Sequence, residues 1–297
     1  MPLKQQDFYR SLTALSPGLV ERVRAAIEEA ERKFSGRKDG RDGFLWEHTA
    51  CVAALSFGLA RQEKESADLA ALTALFHDSG KFAGGSYHAG DAPEEEAAAG
   101  LARAMLEAAG LKMADVGRVV RALRSLYRSG ARHNRLADLV HDADFLAKSG
   151  HLGVAHFFVK STLRGRNLES AAMDHLSREL TYAAALAANM RTAAARRLAA
   201  RKSADALRFY RGYLAELKEA HGLDLRLRPV EAPGPSGGSR RPKVTLVLPA
   251  SCGACGGKWE TDLRTEKGVK CERLEAVLKC GGCGAKRSVS FCLPEIA

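Results

Sequence analysis

The sequence predicts a mainly α-helical protein with a small β domain at its carboxyl end. Apolar residues recur at helical spacing from about residue 7 to residue 222, and the pattern changes to short alternating runs after residue 242. Alanine dominates long stretches, whereas aromatic residues make up only 6% of the 297 residues. This composition favours closely packed helices over sheets.

The helical pattern divides into segments that follow one another along the chain. In the segment 94–109, Glu94 to Glu96 suit the positive end of the helix dipole, and Gly110 suits the helix end. We assign residues 1–225 to one helical domain. Its predicted helices are 17–34, 48–61, 66–76, 94–109, 114–128, 136–149, 151–163, 174–190 and 192–220.

The remainder of the chain divides into a linker and a small domain. Residues 226–242 contain a run rich in proline, glycine and serine, which predicts a flexible linker. Residues 243–297 contain four predicted strands, 243–249, 259–263, 274–278 and 287–292. A domain of this size buries little apolar surface and usually needs a metal ion or disulfides.

Four cysteines in two Cys-x-x-Cys pairs could supply this stabilisation, and each pair has neighbouring glycines that allow tight turns. They resemble the knuckles of a zinc ribbon, in which four thiolates hold a structural zinc ion. Two disulfides are an alternative, which a reducing compartment disfavours, and an iron–sulfur cluster is another, although its cysteine spacings usually differ. We expect Cys51, Cys271 and Cys292 to pack as small apolar residues. The four paired cysteines are Cys252, Cys255, Cys280 and Cys283.

Histidine and aspartate residues interrupt three of the apolar helical segments. His48, the adjacent pair His77 and Asp78, and Asp142 with Asp144 lie in three different predicted helices. Burying a carboxylate beside an imidazole is unfavourable unless a cation pairs with them, and a divalent metal ion does so. The pattern therefore predicts a metal site with nitrogen and oxygen ligands; the alternative is that each residue is a hydrogen-bonded polar group of the core.

The order of these residues resembles the HD-domain metal-dependent phosphohydrolase superfamily. Gly80 and Lys81 follow the His-Asp pair as in many members, and the setting of Asp144, between an alanine and a Phe-Leu pair, favours Asp144 over Asp142 as the last ligand. The resemblance covers residues 40 to 220. It implies an all-helical HD domain whose metal ligands are His48, His77, Asp78 and Asp144, followed here by the small β zinc ribbon.

Such a ligand set implies hydrolytic chemistry. Two imidazoles and two carboxylates suit Mn²⁺, Fe²⁺, Co²⁺, Ni²⁺ or Mg²⁺, and an octahedral ion keeps about two positions for water and a substrate phosphate. Asp78 is a candidate to orient the attacking water. Lys81, Arg124 and Arg128 are candidate substrate contacts, with an ordinary solvated surface as the alternative for each.

The number of metal ions is also an expectation from the resemblance. Two-metal members carry further histidines between the His-Asp pair and the last aspartate, whereas the corresponding helix here begins with Glu94. We therefore expect one metal ion, and a second ion held by Glu94, His88 or His133 stays open. In the superfamily, single-metal sites are mostly associated with hydrolysis of nucleotide phosphomonoesters.

The expected function is hydrolysis of a phosphate ester, with a phosphorylated small molecule such as a nucleotide as the substrate. A net charge of +11 also admits nucleic acid. Two alternatives are a nuclease or phosphodiesterase that binds nucleic acid through the ribbon, and a non-catalytic scaffold stabilised by metal whose ribbon recruits a protein. The Arg-rich segment 191–211 is either a solvated surface or a nucleic-acid contact. No apolar run reaches about 20 residues and no secretory segment is present, so we expect a cytoplasmic protein without a membrane partner.

Overall fold

The structure is a computed structural model that describes a large part of the chain and confirms the mainly helical prediction. No helix within the described ranges is long and apolar enough to cross a bilayer. The described residues are 5–34, 43–85, 93–126, 134–163, 179, 183, 185–221, 225–230, 241–246, 251–267 and 271–294.

Nine helices are assigned bounds within these ranges. Eight of them lie within about four residues of a predicted segment, whereas the helix Gln5–Leu15 has no predicted counterpart, and most of the predicted helix 174–190 lies outside the described residues. The helix Ala67–Phe76 ends where the predicted segment 66–76 ends, and the residues from His77 onward form turns, so the His-Asp pair follows this helix and does not lie within it. The helices are α1 Gln5–Leu15, α2 Leu19–Phe34, α3 Phe44–Gln62, α4 Ala67–Phe76, α5 Glu94–Ala108, α6 Met113–Ser125, α7 Arg135–Ala147, α8 Gly150–Leu163 and α9 Ala193–His221.

Contacts divide the chain into two units. The first consists of Met1–Ala147 with Met190–Leu198, and the second of Lys148–Asn189 with Ala199–Ala297. In the first unit α4 is the central helix, because every residue from Leu69 to Phe76 is buried. A helix that is apolar on all sides is stable only when other helices surround it, which explains the absence of an amphipathic pattern in this segment.

The start of α3 is held by a buried acid from α2. Glu31, which is only 5% exposed, accepts hydrogen bonds from the backbone N–H groups of Gly43 at 3.0 Å and Leu45 at 3.3 Å. These groups belong to the first turn, where backbone donors have no partner inside the helix. Glu31 thus fixes the beginning of the helix that carries His48.

The helical part of the second unit has its own apolar core between α8 and α9. Phe157 of α8 meets Tyr210 of α9 edge to face, with ring centroids 6.0 Å apart and an interplanar angle of 87°. Desolvation in this core raises the pKa of Tyr210 above its ordinary value. The buried members of the core are Val154, Phe157, Ala183, Ala206, Tyr210, Leu214 and Leu217.

The carboxyl end forms two antiparallel sheets. Strand β1 (Leu225–Val230) pairs with β2 (Arg241–Leu246), and β3 (Trp259–Lys267), β4 (Cys271–Cys280) and β5 (Lys286–Pro294) form a three-stranded sheet in the order β3-β4-β5. Each predicted strand overlaps an observed one. Strand β1 lies in the segment predicted as linker, where Leu225, Leu227 and Arg226 begin a short alternating run beside the Pro- and Gly-rich stretch that dominated the interpretation. Residues 231–240 lie outside the described residues.

Candidate metal centre

Three elements of the first unit bring the predicted histidines and aspartates together. His48 comes from α3, His77 and Asp78 from the turn after α4, and Asp144 from α7. His48 Nε2 lies 2.9 Å from Asp144 Oδ1 and 3.6 Å from Asp78 Oδ2. His77 Nε2 lies 3.3 Å from Asp78 Oδ1 and 3.7 Å from Asp144 Oδ1. All four residues are buried, and ligand atoms of His48, His77 and Asp78 all lie within 4.8 Å of one another.

The orientation of His77 leaves one of its ring nitrogens without a hydrogen-bond partner among the described residues. His77 Nδ1 lies 2.6 Å from the carbonyl oxygen of Ala74, which can only accept, so Nδ1 carries the hydrogen. Nε2 is then left with its lone pair, and it is buried without a hydrogen-bond partner among the described residues. A buried acceptor that faces two carboxylates fits a divalent cation, with the Ala74 carbonyl fixing the tautomer as in many metal sites.

The electrostatics of the cluster also favour a positive charge at its centre. Burial lowers the pKa of His48 below its ordinary value of 6.5, more than the nearby Asp144 raises it, so His48 is suited to bind as a neutral imidazole. Burial pushes the pKa of His77 down as well, but Asp78 and Asp144 together raise it above 6.5. The carboxylates thus draw a cation to His77 Nε2, a position that a proton or a metal ion can fill.

Lys81, a candidate substrate contact from the sequence, lies against the cluster and pairs with Asp78. Its Nζ is 2.6 Å from Asp78 Oδ2, and its side chain is only 12% exposed. Because the chain turns after Phe76, Lys81 reaches back three residues to Asp78 instead of continuing along a helical face. Burial raises the pKa of Asp78, but His77 and Lys81 outweigh it and hold that pKa below its ordinary value. Asp78 is therefore ionised.

The two aspartates of α7 have different surroundings. Asp142, which is fully buried, accepts hydrogen bonds from the backbone N–H of Arg191 at 2.9 Å and of Thr192 at 2.8 Å, and from Thr192 Oγ1 at 2.8 Å. Both of its oxygens therefore hold the segment that begins α9. Asp144 instead lies beside His48, which supports Asp144 as the ligand. Sequence reasoning missed this anchoring role, although a threonine just before a helix was a signal for an N-terminal cap.

This difference predicts opposite defects for two similar substitutions. We expect Asp144→Asn to lower metal affinity while the fold remains, because the amide binds a cation less well than a carboxylate. We expect Asp142→Ala to lower the stability of the fold, since each buried donor left without an acceptor costs about 1–3 kcal/mol. Metal titration and denaturant unfolding of both variants separate the effects. Loss of metal by an otherwise stable Asp142→Ala protein would move the last ligand by two positions.

The turn that carries the His-Asp pair packs directly against the start of α5. A Cβ atom added at Gly80 would lie 2.1 Å from the carbonyl oxygen of Glu94 and 3.0 Å from the backbone nitrogen of Ala98. Both neighbours are backbone atoms, which cannot rotate away. The glycine that follows the pair is therefore required by the close approach of this turn to α5.

We expect Gly80→Ala to destabilise the first unit by about 1–3 kcal/mol or more, because the new methyl group overpacks the contact with α5. Gly100 is the matched control, since it lies in α5, is exposed, and has no atom within 4 Å of an added Cβ. Gly100→Ala should be neutral or stabilising by up to about 1 kcal/mol. Equal unfolding midpoints for the two variants in urea would contradict the packing argument.

The remaining predicted substrate and second-metal residues are only partly described. Arg124 donates to Glu96 Oε2 at 2.8 Å, and both side chains are more than a third exposed. Glu94 is half-buried at the start of α5. Arg128, His88 and His133 lie outside the described residues.

The four paired cysteines form a second candidate metal centre. Cys252 Sγ lies 3.8 Å from Cys283 Sγ, and Cys255 Sγ lies 3.4 Å from Cys280 Sγ. Four sulfurs at a zinc–sulfur distance of about 2.3 Å form a tetrahedron with edges of about 3.8 Å, whereas a disulfide joins sulfurs at about 2.05 Å. The geometry therefore fits four free cysteines around one ion.

The two cysteine pairs repeat one backbone arrangement. The Cys252 N–H donates to Gly257 O at 2.7 Å, and the Cys280 N–H donates to Ala285 O at 2.8 Å. Gly256 and Gly284 occupy equivalent positions with φ of 71° and 72°, a conformation that favours glycine. This repetition gives each pair the tight turn that aims both of its sulfurs toward the other pair.

Backbone N–H donors and neighbouring sulfurs shift the pKa values of Cys280 and Cys255 in opposite directions. The N–H groups of Cys283 and Gly282 lower the pKa of Cys280 to about 6, against its burial. The Gly257 N–H lowers the pKa of Cys255, but contacts with the neighbouring sulfurs raise it to about 11. Thiolates are the metal-binding form, and a bound cation would favour all four at once.

Comparison with known proteins finds one family model that matches the part of the chain carrying this arrangement. The family model of the HD domain matches residues 45–148. Among solved structures, Bacillus subtilis YpgQ is 21% identical, and the match covers 69% of this chain and 97% of YpgQ with a TM-score of 0.51. At this identity the likeness establishes a shared fold.

Two further solved structures are similar at lower scores. YpgQ in complex with ADP is 20% identical over 67% of this chain and 94% of its own, with a TM-score of 0.48. An HD-superfamily hydrolase from Bacillus thuringiensis is 18% identical over 67% and 96%, with a TM-score of 0.49. No curated protein matches the sequence. The match to the HD-domain family model thus covers the part of the chain that carries the whole His/Asp cluster.

Proposed function

We propose that this protein hydrolyses a phosphate ester of a nucleotide with one divalent metal ion, Mn²⁺, Fe²⁺, Co²⁺, Ni²⁺ or Mg²⁺, held by His48, His77, Asp78 and Asp144. The observation that carries the proposal is the buried Nε2 of His77, which faces two carboxylates and lacks a hydrogen-bond partner among the described residues. A ligand set of imidazoles and carboxylates binds these ions in preference to metal ions that prefer thiolate ligands.

Some residues of the site would bind the metal ion, and others orient those ligands. When bound, the ion supplies a water of lowered pKa and a positive charge near the phosphate oxygens. The Ala74 carbonyl orients His77, and Lys81 fixes the carboxylate plane of Asp78 by holding its Oδ2. Asp78 Oδ1 then faces His77 and the centre of the cluster, from where Asp78 can orient the attacking water.

Lys81 is expected to act mainly through Asp78. Lys81→Gln should weaken metal affinity by about 10- to 100-fold, which is typical for loss of a residue that orients a ligand. Lys81→Arg should restore part of that affinity, because it keeps a donor and a positive charge. A raised KM for the nucleotide with unchanged metal affinity would show that Lys81 is instead a phosphate contact. Metal titration combined with steady-state kinetics distinguishes these results.

A combined metal and activity measurement tests the proposed function. Purified protein would be analysed for bound metals and then screened for phosphate release from nucleoside mono-, di- and triphosphates with Mn²⁺, Co²⁺, Ni²⁺ or Mg²⁺ added. ADP belongs in the screen because YpgQ was crystallised with it. We expect phosphate release that depends on the added metal. Metal bound by His48 and Asp78 without release from any nucleotide would favour the non-catalytic scaffold.

The carboxyl-terminal cysteines are proposed to hold one structural zinc ion. Four sulfur ligands leave no open coordination position, so this ion has a folding role rather than a catalytic one. With it we propose a helical domain at residues 1–225, a connecting segment at 226–242 that includes most of strand β1, and a zinc ribbon at 243–297. Free cysteines at these distances are compatible with a reducing compartment such as the cytoplasm.

A further inference from the structure

An open groove runs between α8 and α9 in the second unit. Its α9 side is formed by Asp205, Phe209, Gly212, Tyr213 and Glu216, and its α8 side by His151. We call it the α9 groove. Its volume is about 360 Å³, which falls within the range of about 300 to 1,000 Å³ that is usual for small-ligand sites.

Gly212 leaves the groove open where any other residue would narrow it. It lies within the 29-residue helix α9, where glycine is about 1 kcal/mol less favourable than alanine. An added Cβ atom would find nothing within 4 Å, and φ is not in the left-handed region. Neither close packing nor backbone conformation therefore requires this glycine, and a large side chain at this position would extend into the groove.

Two aromatic rings form a fixed platform in the groove. Phe209 is 42% exposed and lies nearly parallel to Tyr213, with centroids 6.3 Å apart and planes 19° apart. Phe158 supports both rings edge to face, at 6.0 Å from Phe209 and 5.2 Å from Tyr213. An exposed ring held in one orientation is suited to stacking on a flat heterocycle, which stacks on aromatic side chains whatever its sequence context.

Exposed arginines follow the edge of the groove along α9. Arg201 and Arg208 are seven residues apart, which is about two helical turns, and Arg211 extends the row to about 15 Å. Arg208 also lines the groove and contacts Asp205 Oδ1 at 3.2 Å. Within the described part of the chain, Arg201 and Arg211 have no ion pair. A row of this kind attracts successive phosphates.

The two carboxylates that line the groove favour the base of a nucleotide over its phosphate. Asp205 and Glu216 would repel a phosphate, so phosphates belong on the arginine row outside. Their carboxylates accept hydrogen bonds from exocyclic amino groups, which cytosine, adenine and guanine have and thymine lacks. The groove thus combines a stacking surface and acceptors for a base with an external row of positive charge.

We propose that the α9 groove binds single-stranded nucleic acid. One base that carries an exocyclic amino group stacks on Phe209 in the groove, and the flanking phosphates contact Arg201, Arg208 and Arg211. This site is independent of the hydrolytic function proposed for the His/Asp cluster, so either proposal can fail without the other.

The test measures binding of labelled 12-nucleotide strands to the full-length protein by fluorescence anisotropy. We expect oligo-dC and oligo-dA to bind more tightly than oligo-dT. Gly212→Leu should weaken oligo-dC binding by about tenfold, because it fills the groove and removes one base–aromatic stack. The double variant Arg201→Gln, Arg211→Gln should flatten the dependence of log K on log salt by about 1.4, the change expected for two lost phosphate contacts on a single strand.

A matched substitution on α5 provides the control for Gly212→Leu. Gly100→Leu places the same side chain on another exposed helical glycine with open space around it, and it should bind like the wild type. Failure of the wild type to bind any strand would overturn the proposal. So would equal affinity of Gly212→Leu and Gly100→Leu, which would place the strand elsewhere, for example on the ribbon. Full competition by free nucleotides at the same nucleotide concentration would assign the groove to mononucleotides instead.

Discussion

Asp78→Asn should reduce metal-dependent hydrolysis by three or more orders of magnitude while the helical fold persists. Asp78 lies close to three other residues of the site: Oδ1 lies 3.3 Å from His77 Nε2, and Oδ2 lies 3.6 Å from His48 Nε2 and 2.6 Å from Lys81 Nζ. The substitution removes a negative charge from the ligand set and also the group that would orient water. A metal ion contributes several kcal/mol to stabilising the transition state, and each 1.36 kcal/mol corresponds to a factor of ten.

The measurement pairs phosphate release with metal content and thermal unfolding. Asp115→Asn is the matched control, because Asp115 lies on the surface of α6 in an exposed pair with Arg118. The control should keep activity and metal. Full activity of Asp78→Asn would show that the His/Asp cluster is not the hydrolytic site. An inactive Asp78→Asn protein that still binds metal with the wild-type affinity would restrict Asp78 to the orientation of water.

Replacing Cys252 and Cys255 with serine should release one zinc ion and unfold the β3-β4-β5 region. Two of the four sulfurs would be lost, and the backbone turn around the first pair would no longer present sulfurs to the second pair. Structural zinc contributes about 10–16 kcal/mol of apparent binding free energy in zinc-finger peptides at neutral pH. This is the largest effect on folding that we expect from any substitution in the chain.

Elemental analysis and hydrogen exchange of residues 251–294 would report this loss. Cys51→Ala is the control for removal of a thiol as such, because Cys51 is a half-buried residue of α3 outside the pairs. It should keep the zinc ion and the protection of the sheet. An unchanged zinc content in the Cys252, Cys255 variant would exclude the ribbon site, and iron in the wild type would favour a cluster instead.

The sequence determined much of the helical architecture, because the relevant signals are local. Apolar spacing placed α2 to α9 to within about four residues but did not separate α1 as a segment, and the two Cys-x-x-Cys pairs indicated their own turns through the neighbouring glycines. Strand β1 was not predicted, because its six residues lie next to a run whose proline and glycine content predicts a linker. A short strand depends on its partner, here β2, for its backbone hydrogen bonds, and a pairing between distant segments has no local signature.

The sequence by itself determined which residue types could bind a metal and in what order they occur: His48, then His77 and Asp78, then an aspartate of α7. Only the tertiary structure decided their roles. The chain turns after Phe76, so that Lys81 donates to Asp78, and the Ala74 carbonyl oxygen contacts His77 Nδ1. Asp142 accepts hydrogen bonds from the start of α9, whereas Asp144 contacts His48. Each of these roles is set by the contact of an atom with a distant or backbone group, and a pattern of side chains along one chain does not contain that information.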